Sequence, residues 1–325
     1  MNVSFKDTYT EFCSKHDENC DCNNYHITLE DVMDATLTMK GGKSADAFGI
    51  SAEHFFNGPL ILIHRLSILF DAMLRHAYVP KSFQRGFMIP LIKDQQGNHS
   101  DLSNYRGITI SPIASKIFEH VLKNKFQDHL LTSSQQFGFK PKHSTSHAVY
   151  CLKMTINYYV NNNSRVFCSF LDASKAFDRL VHSGLFLKLM ERNVPKLFLD
   201  VIVTWYSDLQ CQVKWGETMS DWFTLTAGVR QGGVLSPAFY SIYTDGLIQI
   251  LKSKGIGCYI RNNFAAAIFY ADDMALIAPS IKGLQSLVDC CAEYCSAWDI
   301  CLNPKKTINM AFGKKINSMA EVTLN

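Results

Sequence analysis

The chain has 325 residues, 47% hydrophobic and 19% charged, with a formal net charge of +3. This is a globular composition, which excludes a collagenous, low-complexity or largely disordered chain, and the mild positive charge is compatible with a polyanionic partner without requiring one. The opening residues are polar with no apolar signal segment, and the most apolar helical stretch, Leu60–Leu74, contains His64, Arg65 and Asp71, too short and too charged for a bilayer span.

Eleven cysteines, an odd number scattered through apolar segments, read as reduced thiols of an intracellular protein. Lys314-Lys315 is too short to count as a nuclear localisation cluster, so the compartment is not fixed. Cys13, His16, Cys20, Cys22 and His26 fit no standard structural zinc spacing, and residues 1–27 read as a loose polar linker.

Thr28 with Asp31 three residues on forms an Asp variant of the capping box, opening a helix over Leu29–Met39 that stops at Gly41-Gly42. Gly42-Lys43-Ser44 is not a P-loop, because Leu37 stands where a glycine is needed. A helix over Pro59–Ala77 precedes a strand, Phe87–Ile92, then Lys93, a polar loop and Arg106. Cations at the base of such a hairpin suit a triphosphate. Pro112–Leu131 and Ser146–Asn161 read as helices, the second capped by Ser144 or Thr145.

Val166–Leu171 reads as a strand ending at Asp172. Helices over Leu185–Arg192 and Lys196–Trp205 follow, then a hairpin of Cys211–Trp215 and Trp222–Thr226 around Gly216. The loop Gly228–Pro237 holds three glycines and Gln231, where a ligand can approach the backbone closely. The helix Ala238–Lys252 carries a core stripe. Ala265–Tyr270 and Met274–Ala278 read as a hairpin with Asp272 and Asp273 at its tip. Adjacent carboxylates repel, so a cation is expected there if a third acid, Asp172, comes alongside. A helix with Leu284, Leu287, Val288, Cys291, Cys295 and Trp298 on one face follows, its cysteines acting as packing residues, then a strand, Ile308–Phe312.

The order of these pieces resembles the reverse transcriptase domain of non-LTR (LINE-type) retrotransposons, over about residues 41–312. The resemblance rests on Ile89-Pro90-Leu91-Ile92-Lys93, Asn104-Tyr105-Arg106-Gly107-Ile108, Gln136-Phe137-Gly138-Phe139, Phe170-Leu171-Asp172 with Ala176-Phe177-Asp178, Gly228–Pro237, Phe269–Asp273, and Leu302-Asn303 with Lys306-Thr307. Tyr270-Ala271-Asp272-Asp273 leans away from the Gly-Asp-Asp of viral RNA polymerases and from intron-type or telomerase-like relatives.

The resemblance implies an α+β right-hand polymerase: fingers over 28–163 and a palm over 164–325, its antiparallel sheet backed by helices. Asp172, Asp272 and Asp273 become ligands of two Mg²⁺ ions, with Mn²⁺ as substitute. Lys93 and Arg106 hold the dNTP triphosphate. Gln231 and Gly232 pack on nucleotide and template, Phe177 gates the ribose 2′-hydroxyl, and Lys306 protonates pyrophosphate. The implied partners are an RNA or DNA template with its primer and dNTPs, with no membrane and no oligomeric state specified. Two departures stand out: Phe48 at a position usually Asp, and His143 where Arg is usual. No helical thumb is expected before Asn325 and no endonuclease before the fingers. A truncated, inactive remnant that only binds nucleic acid is therefore the alternative expectation.

Overall fold

The computed structural model describes residues 5–17, 25–313 and 322. They divide into two compact units, each built from two stretches of chain: Asn2–Leu130 with His182–Ser236, and Leu131–Val181 with Pro237–Asn325. The fingers–palm boundary expected at 163/164 falls inside the second of these.

In the first unit the supposed terminal linker contains a helix, Phe5–Asp17. Tyr9 and Phe12 lie three apart on one face; Phe12 is buried and the Tyr9 hydroxyl donates to Asp200 Oδ1 at 2.6 Å. Two aromatic residues are enough to dock an otherwise polar helix, which corrects the linker reading for this stretch. Cys20, Cys22 and Lys314-Lys315 lie outside the described residues.

The capping box is present. Asp31 N–H donates to Thr28 Oγ1 at 3.2 Å, Thr28 N–H donates to Asp31 Oδ2 at 2.8 Å, and the helix runs Leu29–Leu37. Helices Leu60–Arg75 and Ile113–Lys125 bury Phe70, Leu74, Ile117, Phe118 and Leu122, with Phe70 and Phe118 ring centroids 4.9 Å apart. Each such fully buried side chain contributes roughly 1.5–3 kcal/mol by transfer. The second helix is shorter than expected and passes into a 3₁₀ turn over Gln127–Leu130. Against this core lies a sheet in which Arg85–Ile92 pairs antiparallel with Tyr105–Ile110 and parallel with Gln210–Trp215. The hairpin around Gly216 forms, but its return limb starts earlier than read. Thr218–Met219 and Phe223–Thr224 both pair with Gln210–Trp215, and the register shifts by one residue between Lys214↔Met219 and Cys211↔Phe223.

The second unit is a four-stranded antiparallel sheet in the order Ile308–Phe312, Val166–Leu171, Asp273–Ala278, Ala267–Tyr270. Side chains alternate between its faces. Val166, Cys168, Ile268, Ala275 and Ile277 form one buried cluster with Ala148 of the helix Thr145–Asn161. Leu171, Met274, Leu276 and Ala278 are buried on the other face, where the helix Ile281–Ala297 contributes Leu284, Leu287, Val288 and Cys291. Ser144 occupies the N-cap of Thr145–Asn161 without a capping side-chain bond. Cys290, Cys291 and Cys295 are buried free thiols, as are the other described cysteines free. No helix among the described residues is long and apolar enough to cross a membrane.

Candidate active site

The acids meet at one end of the antiparallel sheet. Tyr270 pairs with Asp273, so the turn holds Ala271 and Asp272, and Asp273 is the first residue of its strand rather than part of the tip. On its other side that strand pairs with Val166–Leu171 in the register Met274↔Leu171. One step further along the same register sets Asp172 opposite Asp273, a pairing that brings Cα atoms to about 4.5–5.5 Å.

The segment after the helix Ile281–Ala297 completes the cluster. Asn303 N–H donates to Asp172 O at 2.8 Å, and Ser174 N–H donates to Cys301 O at 2.7 Å. Asn303 then closes a turn, accepting from Lys306 N–H and Thr307 N–H, each at 3.1 Å. That turn delivers Lys306 Nζ to within 3.2 Å of Asp172 Oδ2. Burial and the neighbouring Asp172 push the Asp273 carboxyl above its usual range, while Lys306 pulls it back.

Beside the acids lies Tyr240 of the helix Ser236–Ser253, buried and with a hydroxyl that has no hydrogen-bond partner among the described residues. Burial first, then Asp272, Cys295, Asp273 and Asp172, drives its phenol upward. Phe177 stacks on Tyr240 with centroids 5.2 Å apart and planes at 14°, and Phe139 meets Phe177 edge-on at 5.9 Å. Phe177 is thus half-buried in an aromatic stack next to the acids. A cleft of about 360 Å³, lined by Thr145, Leu152, Phe170 and Tyr270, opens on Asp172, Asp273 and Lys306.

No three metal-ligating side chains form a ready cage among the described residues. The donor set is nonetheless all carboxylate oxygen, which suits a hard cation. Mg²⁺ commonly takes only one or two carboxylates and completes its shell with water and substrate phosphate. The residues present fit such an ion.

The remaining expected residues lie in the other unit. Lys93 follows the strand Arg85–Ile92; its N–H donates to Asn104 O at 2.8 Å and its Nζ to Ser103 O at 2.9 Å. Arg106 stands opposite Leu91 and is exposed. The hairpin therefore carries both cations. Gln231 O accepts from Thr109 N–H at 2.8 Å, so the glycine loop is bonded to the same hairpin. Gly232 has φ +118, and a Cβ there would stand 2.8 Å from Thr109 O.

Two residues absent from the sequence-based set fix this loop. Glu119 Oε2 accepts from Val234 N–H at 2.5 Å and Leu235 N–H at 2.8 Å. Arg230 donates to Phe83 O at 3.0 Å, to Gln84 O and to Ser111 Oγ at 3.4 Å. Both are buried. Burial pushes the Glu119 carboxyl up, opposed by the two amides and Arg230, and pushes the Arg230 guanidinium down, opposed by Glu119. The available signal was Glu119 itself, one turn from Ser115 and Leu122 on an apolar helix face. The departure at Phe48 also has a structural answer: buried Asp46 accepts from Phe48 N–H at 2.9 Å and from Ile113 N–H at 2.9 Å.

An antiparallel sheet with acids at one end and helices behind is the architecture of a polymerase palm. The fold is similar to that of apo telomerase from Candida tropicalis, truncated from the C-terminal domain, with a TM-score of 0.53 at 16% identity over 80% of this chain and 56% of that one. Residues 92–319 match the family model described as reverse transcriptase (RNA-dependent DNA polymerase), and the chain belongs to that family. It is 28% identical, over 89% of its length, to the probable RNA-directed DNA polymerase from transposon BS of Drosophila melanogaster, and 26% identical, over 92%, to that from mobile element jockey of the same species. These relatives bear out the likeness to LINE-type elements and the fingers-and-palm fold. The chain spans about a third of their length, 32% and 33% respectively.

Proposed function

We propose that this chain is the polymerising core of a LINE-type retroelement, extending a primer on an RNA template with dNTPs. The observation that carries the reading is the meeting of Asp172, Asp273 and Lys306 at the sheet end, with Asp272 in the adjoining turn. Asp172, Asp272 and Asp273 would hold two divalent ions, Mg²⁺ with Mn²⁺ as substitute, which supply activation of the primer hydroxyl and neutralisation of the leaving group.

The chain's own groups do the rest. Lys93 and Arg106 bind the triphosphate, Arg106 through paired N–H donors. Gln231 and Gly232 present backbone to the incoming nucleotide. Phe177, braced by Tyr240 and Phe139, crowds the ribose 2′ position. The primer 3′-hydroxyl loses its proton to solvent as its oxygen bonds to the α-phosphorus, the bond from that phosphorus to the oxygen bridging to the β-phosphate breaks, and Lys306 donates a proton to the departing pyrophosphate. The duplex is gripped through phosphates, which makes binding salt-sensitive.

A second reading is a chain that binds nucleic acid without turnover. Primer extension with an RNA template, a DNA primer and Mg²⁺ separates the two. Extension with dNTPs that disappears in Asp272→Ala supports the polymerase. A duplex that is shifted but never extended supports the binder. Phe177→Val should raise rNTP use relative to dNTP by at least about tenfold, the scale of one pocket contact.

A further inference from the structure

The turn that carries Asp272 is in a conformation its sequence does not favour. Ala271 has φ 58, in the left-handed region that non-glycine residues enter at a cost of about 1–2 kcal/mol. A two-residue hairpin turn demands such a backbone, and Asn or Gly usually supplies it. Something else must hold Ala271 there.

That partner is Gln136, from a segment more than a hundred residues earlier. It is 1% exposed, and both ends of its amide act on Ala271. Gln136 Oε1 accepts from Ala271 N–H at 3.0 Å, and Gln136 Nε2 donates to Ala271 O at 3.2 Å. Oε1 also accepts from Gly138 N–H at 2.8 Å, which fixes the side chain from its own loop. The main chain is stitched alongside: Phe137 N–H donates to Phe269 O at 2.8 Å, and Phe269 N–H donates to Gln135 O at 2.8 Å. Gly138 leaves room for this approach, since a Cβ on it would collide with the Ala271 amide nitrogen and stand 2.8 Å from Ala271 Cα.

We propose that Gln136 is a positioning residue of the active site, clamping both polar groups of the Ala271 peptide so that Asp272 is presented to a divalent cation. The inference rests on the reading of Asp272 as a cation ligand. A primary amide suits the task because it offers an acceptor and a donor on one rigid plane, matching the N–H and C=O of a single residue. Leu at 136 would fill the space and leave the Ala271 N–H, the Ala271 carbonyl and the Gly138 N–H without this partner. Glu would keep the acceptor and lose the donor.

The test uses the full chain with Gln136→Ala and Gln136→Glu. Three quantities are read: amide exchange at Ala271 and Asp272 without metal, Mn²⁺ binding followed by electron paramagnetic resonance, and primer extension. Gln136→Ala is expected to speed amide exchange at the turn, raise the Mn²⁺ dissociation constant about tenfold and lower kcat by about 10- to 100-fold. The KM for dNTP should move by less than about threefold, since Gln136 touches nothing that binds the triphosphate. Gln136→Glu should fall between wild type and Ala, and carries the test if Ala does not fold. A folded variant with wild-type exchange at the turn and wild-type Mn²⁺ affinity overturns the proposal. Gln136-dependent Mn²⁺ binding in a chain that adds no nucleotide would sink the polymerase reading and leave this one standing. Undiminished extension by both variants would do the reverse.

Discussion

Lys306 Nζ lies 3.2 Å from Asp172 Oδ2, so this lysine of the Asn303 turn lands on the carboxylate facing Asp273. The Lys306 side chain is 66% exposed, and solvent screens the pair. Lys306→Met should therefore change unfolding free energy by less than about 1 kcal/mol in urea titrations. Single-turnover nucleotide addition should fall by about 10²-fold, the usual contribution of a placed proton donor. A variant that loses stability and keeps its rate would make Lys306 a structural counter-ion only.

Glu119→Ala strands the Val234 and Leu235 amides and leaves the buried Arg230 guanidinium without its opposing charge. A loss of about 3–5 kcal/mol is expected, because one member of a buried charged network is removed. Glu119→Gln retains an acceptor and should lose less. Chemical denaturation of both variants, with the dNTP KM of whichever remains folded, checks the assignment, since the loop they hold carries Gln231 and Gly232.

Tyr240→Phe should be at least as stable as the wild type, gaining about 1 kcal/mol. The hydroxyl it removes is buried with no partner among the described residues, so its loss ends a desolvation cost while the ring and its stack on Phe177 remain. Thermal unfolding of the variant measures this directly. A clear loss of stability would mean the hydroxyl is bonded in solution.

His120 is held down to about 4 from its ordinary 6.5, by burial first and then by Lys123 and Lys116. A base with a depressed folded-state value favours folding while neutral. Its contribution is full above pH 6.5 and is lost as the pH falls toward 4, with a slope that solvent around the half-buried ring reduces. Its Nδ1 lies 3.2 Å from Thr38 Oγ1, so His120→Asn keeps a polar neighbour for the threonine. Urea unfolding at several pH values should show a shallower acid slope in the variant.

The strands Val166–Leu171 and Ile308–Phe312 are legible to the residue, because short apolar runs between polar neighbours leave little choice of ends. The meeting of Asp172 with the Asp-Asp turn is legible as a possibility of chemistry, and the register supplies the geometry. Other features depend on partners far along the chain. The helix Phe5–Asp17 is polar by composition and docks through Phe12 and the bond from Tyr9 to Asp200. Glu119 looks like an ordinary charged helix residue until amides 115 and 116 residues away are brought to it. Gln136 sits inside a visible motif, yet its task depends on the backbone angle of Ala271, which residue type alone does not announce.

Arg85 pairs with Gln210, 125 residues away, and donates to its side chain at 3.0 Å. During synthesis the strand Arg85–Ile92 is therefore made long before its parallel neighbour leaves the ribosome. Its open edge over Arg85–Met88 must wait while residues 93–209 are translated. Such long-range parallel pairing forms slowly and leaves an intermediate prone to association. Yield on expression should consequently be governed by chaperone supply and growth temperature more than by the stability of the finished fold.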